Sequence, residues 1–119
     1  MSGINYIPSR DLKISQTIFT KSANATLVLA ESSSLLYCNN SANITITIPA
    51  ESSVNFSVGS QIDIIRSNSN VGIAGGSGIV VNSSAGATPK IRVQWGACTL
   101  IKIAANSWTV IGDISTTPI

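Results

Sequence analysis

Histidine is absent from the 119 residues, which removes the commonest general base and metal-ligating side chain. Charge is scarce as well. Asp, Glu, Lys and Arg make up 10% of the chain, against the roughly 25% usual for soluble domains. The net charge of +2 is scattered and lacks the clustered basic footprint that nucleic-acid binding requires. No apolar run approaches the length of a membrane helix, which speaks against a membrane partner. The opening stretch MSGINYIPSRDLKIS has no apolar signal-peptide core, and synthesis in the cytoplasm without secretion is expected. Only Cys38 and Cys98 could form a disulfide. Both lie in strand-like stretches and are expected as buried thiols.

What is present is aliphatic and hydroxyl-rich. Hydrophobic residues reach 44% with a mean hydropathy of +0.34, and Ser, Thr and Asn together number 39. Five N-x-S/T sequons, among them those at Asn24, Asn43 and Asn82, follow from that composition alone. An apolar chain with little charge favours association over a free monomer. The length suits one domain with a single core.

The block NITITIPAESSVNFSVGSQIDIIR, residues 43–66, sets the pattern. Ile44, Ile46 and Ile48 alternate with Thr45 and Thr47, the period of a half-buried strand. Pro49 ends that strand. Val54, Phe56 and Val58 alternate again before the Gly59 turn, and Ile62 and Ile64 then oppose Asp63 and Ile65. From Ala25 onward, short strands separated by polar turns recur at the spacing of a sandwich or barrel. Ile91, Val93 and Trp95 alternate with Lys90, Arg92 and Gln94, and Thr99, Ile101 and Ile103 oppose Leu100 and Lys102. Ala105-Asn106-Ser107 closes a hairpin onto Trp108–Ile111. No segment sustains a helical period. The expectation is an all-β sandwich or barrel-like domain of short, mostly antiparallel strands over residues 23–114. An extended arm, residues 1–22, precedes it, and a short tail, residues 115–119, follows. The expected core is Ile46, Ile48, Ile64, Val81, Ile91, Val93, Ile101 and Ile103, with Trp95 packed beside them.

The arm differs from the rest. Ile4, Tyr6 and Ile7 precede Pro8, and Arg10, Asp11 and Lys13 form the densest charge cluster. Such a segment is either an ordinary frayed terminus or a docking arm whose apolar side chains seek a neighbour. Gln16–Thr20 has the look of a short strand that could instead complete the β domain.

Catalytic chemistry finds little footing. The acids Asp11, Glu31, Glu51, Asp63 and Asp113 are dispersed, and a glycosidase pair needs two carboxylates meeting in space. Turn and cap roles account for Glu31 and Glu51, and a salt bridge with neighbouring Arg66 or a cross-strand pair accounts for Asp63. The glycines at 72, 75, 76 and 78 run directly into Ile79-Val80-Val81 rather than into a phosphate-loop lysine and helix. A non-enzymatic protein without cofactor or metal is expected.

Four blocks, TLVLAESS at 26–33, TITIPAESSVNFSVGSQIDI at 45–64, VGIAGGSGIVVNS at 71–83 and CTLIKIAANSWTVIGDIS at 98–115, occur in an order that resembles a recurrent β-module of tailed-bacteriophage virion proteins. Such modules belong to tail fibres, head fibres and capsid decoration proteins. The resemblance spans about residues 25–115 and departs from the family at Arg66-Ser67-Asn68-Ser69, where that family often has a more apolar run. It implies a virion structural protein assembled as a homotrimer. With a short arm before the module, a capsid decoration (cement) protein is expected. It would bind the major capsid protein on the outer capsid surface through Ile4, Tyr6, Ile7, Arg10, Asp11 and Lys13. The alternative is a tail-fibre or head-fibre module that binds a host receptor or glycan.

Overall fold

A computed structural model describes residues 15–119. Within them the chain forms β1 (Ile18–Lys21), β2 (Ala25–Thr26), β3 (Leu35–Cys38), β4 (Ile44–Ile48), β5 (Gln61–Arg66) and β6 (Val71–Gly75). There follow β7 (Val80–Asn82), β8 (Lys90–Ile91), β9 (Ala97–Ala104), β10 (Ser107–Gly112) and β11 (Ile114–Ser115). One 3₁₀ turn, Leu29–Glu31, is the sole helical element among the described residues. The strands make a six-stranded sheet in the order β1-β3-β5-β9-β10-β7 and a five-stranded sheet in the order β11-β8-β6-β4-β2. The all-β, sandwich-like architecture read from the period-two pattern is what the chain adopts.

Strand direction differs from expectation. Five of the nine pairings among the described residues are parallel, so the sheets are mixed rather than mostly antiparallel. The cause lies in the turns. From β1 to β8 each connection carries the chain across to the opposite sheet instead of reversing it beside the previous strand. Through β6, a strand that returns to its sheet after two crossings points the same way as its predecessor, so β1-β3-β5 and β2-β4-β6 are parallel, whereas β8 returns antiparallel to β6. Only β9–β10 is a sequential hairpin within one sheet, closed at Asn106 with φ 52°. The strand foreseen near Gln16–Thr20 exists as β1, paired to β3. Residues 18–21 therefore belong to the β domain, not to the arm.

The core lies between the sheets. Ile44, Ile46, Ile48, Val71, Ile73 and Ile91 fill it from the five-stranded side. Leu36, Cys38, Ile62, Ile64, Leu100 and Trp108 fill it from the other. Phe56, in the loop between β4 and β5, meets Trp108 edge to face with ring centroids 5.4 Å apart. Of the expected core, Ile46, Ile48, Ile64, Val81 and Ile91 are buried. The rest requires correction: Val93 and Ile101 are half-buried, and Ile103 is exposed. The inward face of β9 is Cys98, Leu100 and Lys102. A lysine can occupy it because Nζ donates to Glu51 Oε1 at 2.7 Å and to the Phe56 carbonyl at 2.5 Å. Trp95, expected beside the core, is exposed, and Trp108 is the indole that packs inside. Beyond Ile91 the chain leaves the sheet, and Trp95 takes a left-handed φ of 67° that turns it to solvent.

Cys38 and Cys98 are free, buried thiols, as expected. Burial pushes Cys38 up to about 11 and Cys98 up to about 12, from 9.0. A thiol pKa raised by folding leaves stability intact below the unfolded value and erodes it as the unfolded chain ionises above that value. Stability should therefore fall from pH 9.0 towards 11 and 12. Denaturant melts of a Cys38→Ala/Cys98→Ala variant should show a shallower alkaline decline than the parent. The facing of β9 gives a second prediction. Leu100→Ala should cost roughly 2–5 kcal/mol in such melts, whereas exposed Ile103→Ala should change stability by about 0.5 kcal/mol or less.

Candidate interaction face

The two sheets present unlike surfaces outward. On the five-stranded sheet, side chains alternating with the buried isoleucines are Thr26, Thr45, Thr47, Gly72, Ala74 and Lys90. Threonine favours the strand, and its hydroxyl tolerates water, so this face is an ordinary solvated one. The six-stranded sheet is different. Across its strands one register row reads Ile18, Leu35, Asp63, Thr99 and Ile111, and the next reads Thr20, Tyr37, Ile65 and Ala97. A third contains Gln61, Ile101 and Thr109. Ile18, Ile103, Ile111 and Val80 are each at least half exposed. These exposed aliphatic side chains, interspersed with Asp63, Thr99, Gln61 and Thr109, make this face the candidate interaction surface of the two.

A depression of about 440 Å³ opens on this face, lined by Leu35, Asp63, Ile65, Ala97, Thr99 and Ile111. Gly112 completes its rim, where a Cβ would stand 2.5 Å from the Ala97 carbonyl oxygen, so only glycine lets β9 and β10 approach. Asp63 Oδ1 accepts from Thr99 Oγ1 and Oδ2 accepts from Gln16 Nε2, both at 2.7 Å. The carboxylate is thus held flat against the sheet by two neutral donors. Its foreseen partner, Arg66, is on the opposite, inward face. That side chain is 6% exposed and donates to the carbonyls of Asn68 and Ile91. Of the two expectations for Asp63, the salt bridge does not form, because residues 63 and 66 have opposite parity in β5, and the cross-strand pair does, with Thr99 of β9.

The remaining described acids each have their own cation. Glu31, expected in an exposed turn, is 1% exposed; it accepts from the Val28 amide at 3.0 Å and pairs with Lys21 at 2.5 Å. Glu51 pairs with Lys102. Asp113 is clasped by Arg92 through Nε at 2.6 Å and Nη2 at 3.0 Å, which holds its carboxyl below the usual range and raises the guanidinium. Among the described residues no three His, Cys, Asp or Glu side chains group as a metal site, and no helix is long and apolar enough to cross a membrane. Of the glycines after Val71, Gly72 and Gly75 lie within β6, and Gly76 and Gly78 fall in the bend before β7, where Gly78 adopts φ 78°.

Ile4, Tyr6, Ile7, Arg10, Asp11 and Lys13, the expected capsid-contact residues, lie outside the described residues. The outer face of the six-stranded sheet was not foreseen. Its clearest signal was Ile65 and Ile111, aliphatic strand residues outside the expected core, which includes Ile101 and Ile103. Trp95 is the other unforeseen feature. It is 60% exposed, with its amide donating to the Arg66 carbonyl at 2.6 Å and the adjacent Gln94 Nε2 donating to the Ser67 carbonyl at 2.9 Å.

Comparison of the chain with protein-family models, curated proteins and solved structures gives no match.

The indoles offer a direct check of this geometry. Trp95→Phe should leave emission from Trp108 alone, blue-shifted and resistant to acrylamide. Trp108→Phe should leave a red-shifted, readily quenched emitter. The reverse assignment would place Trp95 in the core.

Proposed function

We propose that this chain is a structural protein of a tailed-bacteriophage virion. In this reading it is a capsid decoration protein that assembles as a homotrimer on the outside of the major capsid shell and stabilises it. The observation that carries the reading is the aliphatic outer face of the six-stranded sheet, set against a threonine face on the opposite sheet. A protein built to associate needs such an asymmetry, and symmetric copies can hide the apolar side from water. The order of sequence blocks supports the phage assignment, and the number three rests on that resemblance alone. The dispersed and individually paired carboxylates favour a structural role over hydrolysis.

Capsid attachment is assigned to the arm, through Ile4, Tyr6, Ile7, Arg10, Asp11 and Lys13, where apolar anchoring and polar registration combine. In this reading any ordering of the arm on binding costs conformational entropy, which three arms on one trimer offset through avidity. In the second reading the module recognises a host glycan, and exposed Trp95 favours it, since an indole held clear of the sheet is a stacking platform.

Two measurements test these assignments. Light scattering should give three times the chain mass, and Ile65→Asp should shift the protein towards monomer while its circular dichroism remains that of a β protein. A stable wild-type monomer at micromolar concentration rejects the trimer. Mixed with undecorated capsids, the full chain should bind in high copy, and removal of residues 1–13 should abolish binding with little change in thermal melt. Normal occupancy by the truncated chain would dismiss the arm as anchor. Low copy number together with loss of host adsorption in Trp95→Ala would establish the fibre reading instead.

A further inference from the structure

Lys102 does not use its charge at the surface. The residue is 2% exposed, and its ammonium sits at the inner side of β9 beneath the loop joining β4 to β5. Three groups from that loop converge on it. Glu51 Oε1 lies 2.7 Å from Nζ, the Phe56 carbonyl 2.5 Å, and the near atom of the Asn55 side-chain amide 3.4 Å. That amide can be placed two ways. With Oδ1 nearest it accepts from Nζ. With Nδ2 nearest it donates to Glu51 Oε1 and to the Phe56 carbonyl, 3.3 Å from each. In the second orientation one carboxylate oxygen touches both the lysine amine and the nitrogen of the asparagine amide. Trp108 is paired in register with Lys102 and stacks edge to face on Phe56, so the site is walled by aromatic rings.

An amine, a carboxamide and a carboxylate that bridges their nitrogens are the parts of an amide-exchange reaction. We propose that Lys102 and Asn55 form an intramolecular isopeptide bond, with Glu51 as the proton shuttle. A proton passes from the buried Lys102 ammonium to Glu51, whose side chain is 32% exposed and lies beside the solvent-accessible Asn55 amide. The freed Nζ lone pair attacks Asn55 Cγ and forms the new C–N bond. Collapse of the tetrahedral adduct breaks the bond from Cγ to Nδ2. Of its original protons Nζ keeps one and passes two by way of Glu51 to the departing nitrogen. Ammonium leaves, and Glu51 is again a carboxylate. No oxidant, cofactor or metal is required, and folding itself supplies the proximity that such a reaction needs. The product fastens the β4–β5 loop to the turn end of the hairpin formed by β9 and β10.

The test is the intact mass of the purified full chain, followed by a peptide map. The wild type should weigh less than its sequence by one ammonia, and proteolysis should yield a branched peptide joining the segments that contain Asn55 and Lys102. Glu51→Gln, with β structure retained by circular dichroism, should keep the full sequence mass. A wild-type mass equal to the sequence overturns the proposal. So does a deficit that persists in Lys102→Met, because that loss would come from succinimide formation at an asparagine. If either variant fails to fold, the branched peptide in the wild type decides alone: its presence establishes the bond, and its absence overturns it.

Discussion

The facing of β9 depends on one buried cation. A strand has a period of two, and a slip of one residue sends every side chain to the other side. In β9 the inward set is Cys98, Leu100 and Lys102. An ammonium in that set costs several kcal/mol in lost hydration unless it is paired and hydrogen-bonded. Glu51 and the Phe56 carbonyl supply those partners, and the loop carrying them closes over the end of the core. With Lys102 inside, Ile101 is half-buried and Ile103 is turned to water. The aliphatic outer surface of the six-stranded sheet follows directly from that arrangement.

This also explains which parts of the fold were legible in the sequence. In β4 and β5 the aliphatic and polar residues fall at opposite parities over most of the strand, so Ile46, Ile48 and Ile64 could be placed correctly from their spacing. In β9 aliphatic residues occur at both parities, and hydropathy favoured Ile101 and Ile103 over a set containing lysine. What decides the matter is a carboxylate 51 positions away in the chain, which no local pattern reveals. Trp95 was misplaced for a related reason. Its alternation with Ile91 and Val93 is real, but the strand ends at Ile91 and a left-handed residue reverses the direction of the side chain. Strand direction was illegible altogether, because hydropathy records which face is buried and not whether a turn reverses the chain or crosses to the other sheet. The interaction face was legible only as a surplus of aliphatic residues. The arm residues on which the capsid assignment was placed lie outside the described residues, and that assignment rests on sequence.

The edges of the six-stranded sheet matter to how copies could associate. β1 and β7 bound it and contain four and three residues. Short edge strands offer few free backbone groups to a second chain, which limits edge-to-edge pairing. The broad face between them has the register rows of Ile18, Leu35 and Ile111 and of Tyr37 and Ile65. Association through side chains on that face fits the geometry better than extension of the sheet. Asp63 need not obstruct it, because its two oxygens already accept from Thr99 and Gln16.

A covalent tie between Asn55 and Lys102 would act on the same strand that sets this face. The cavity behind Lys102 is filled by Phe56 and Trp108, and the loop over it returns to β5, the neighbour of β9. Joining the loop to Lys102 would hold β9 in the register that turns Ile101 and Ile103 outward. The alternative register, with those isoleucines inside, would then require breaking an amide rather than moving an ion pair. A bond placed one residue from the exposed face, on its inner side, resists the slip that would erase that face while leaving the surface side chains free to make their contacts.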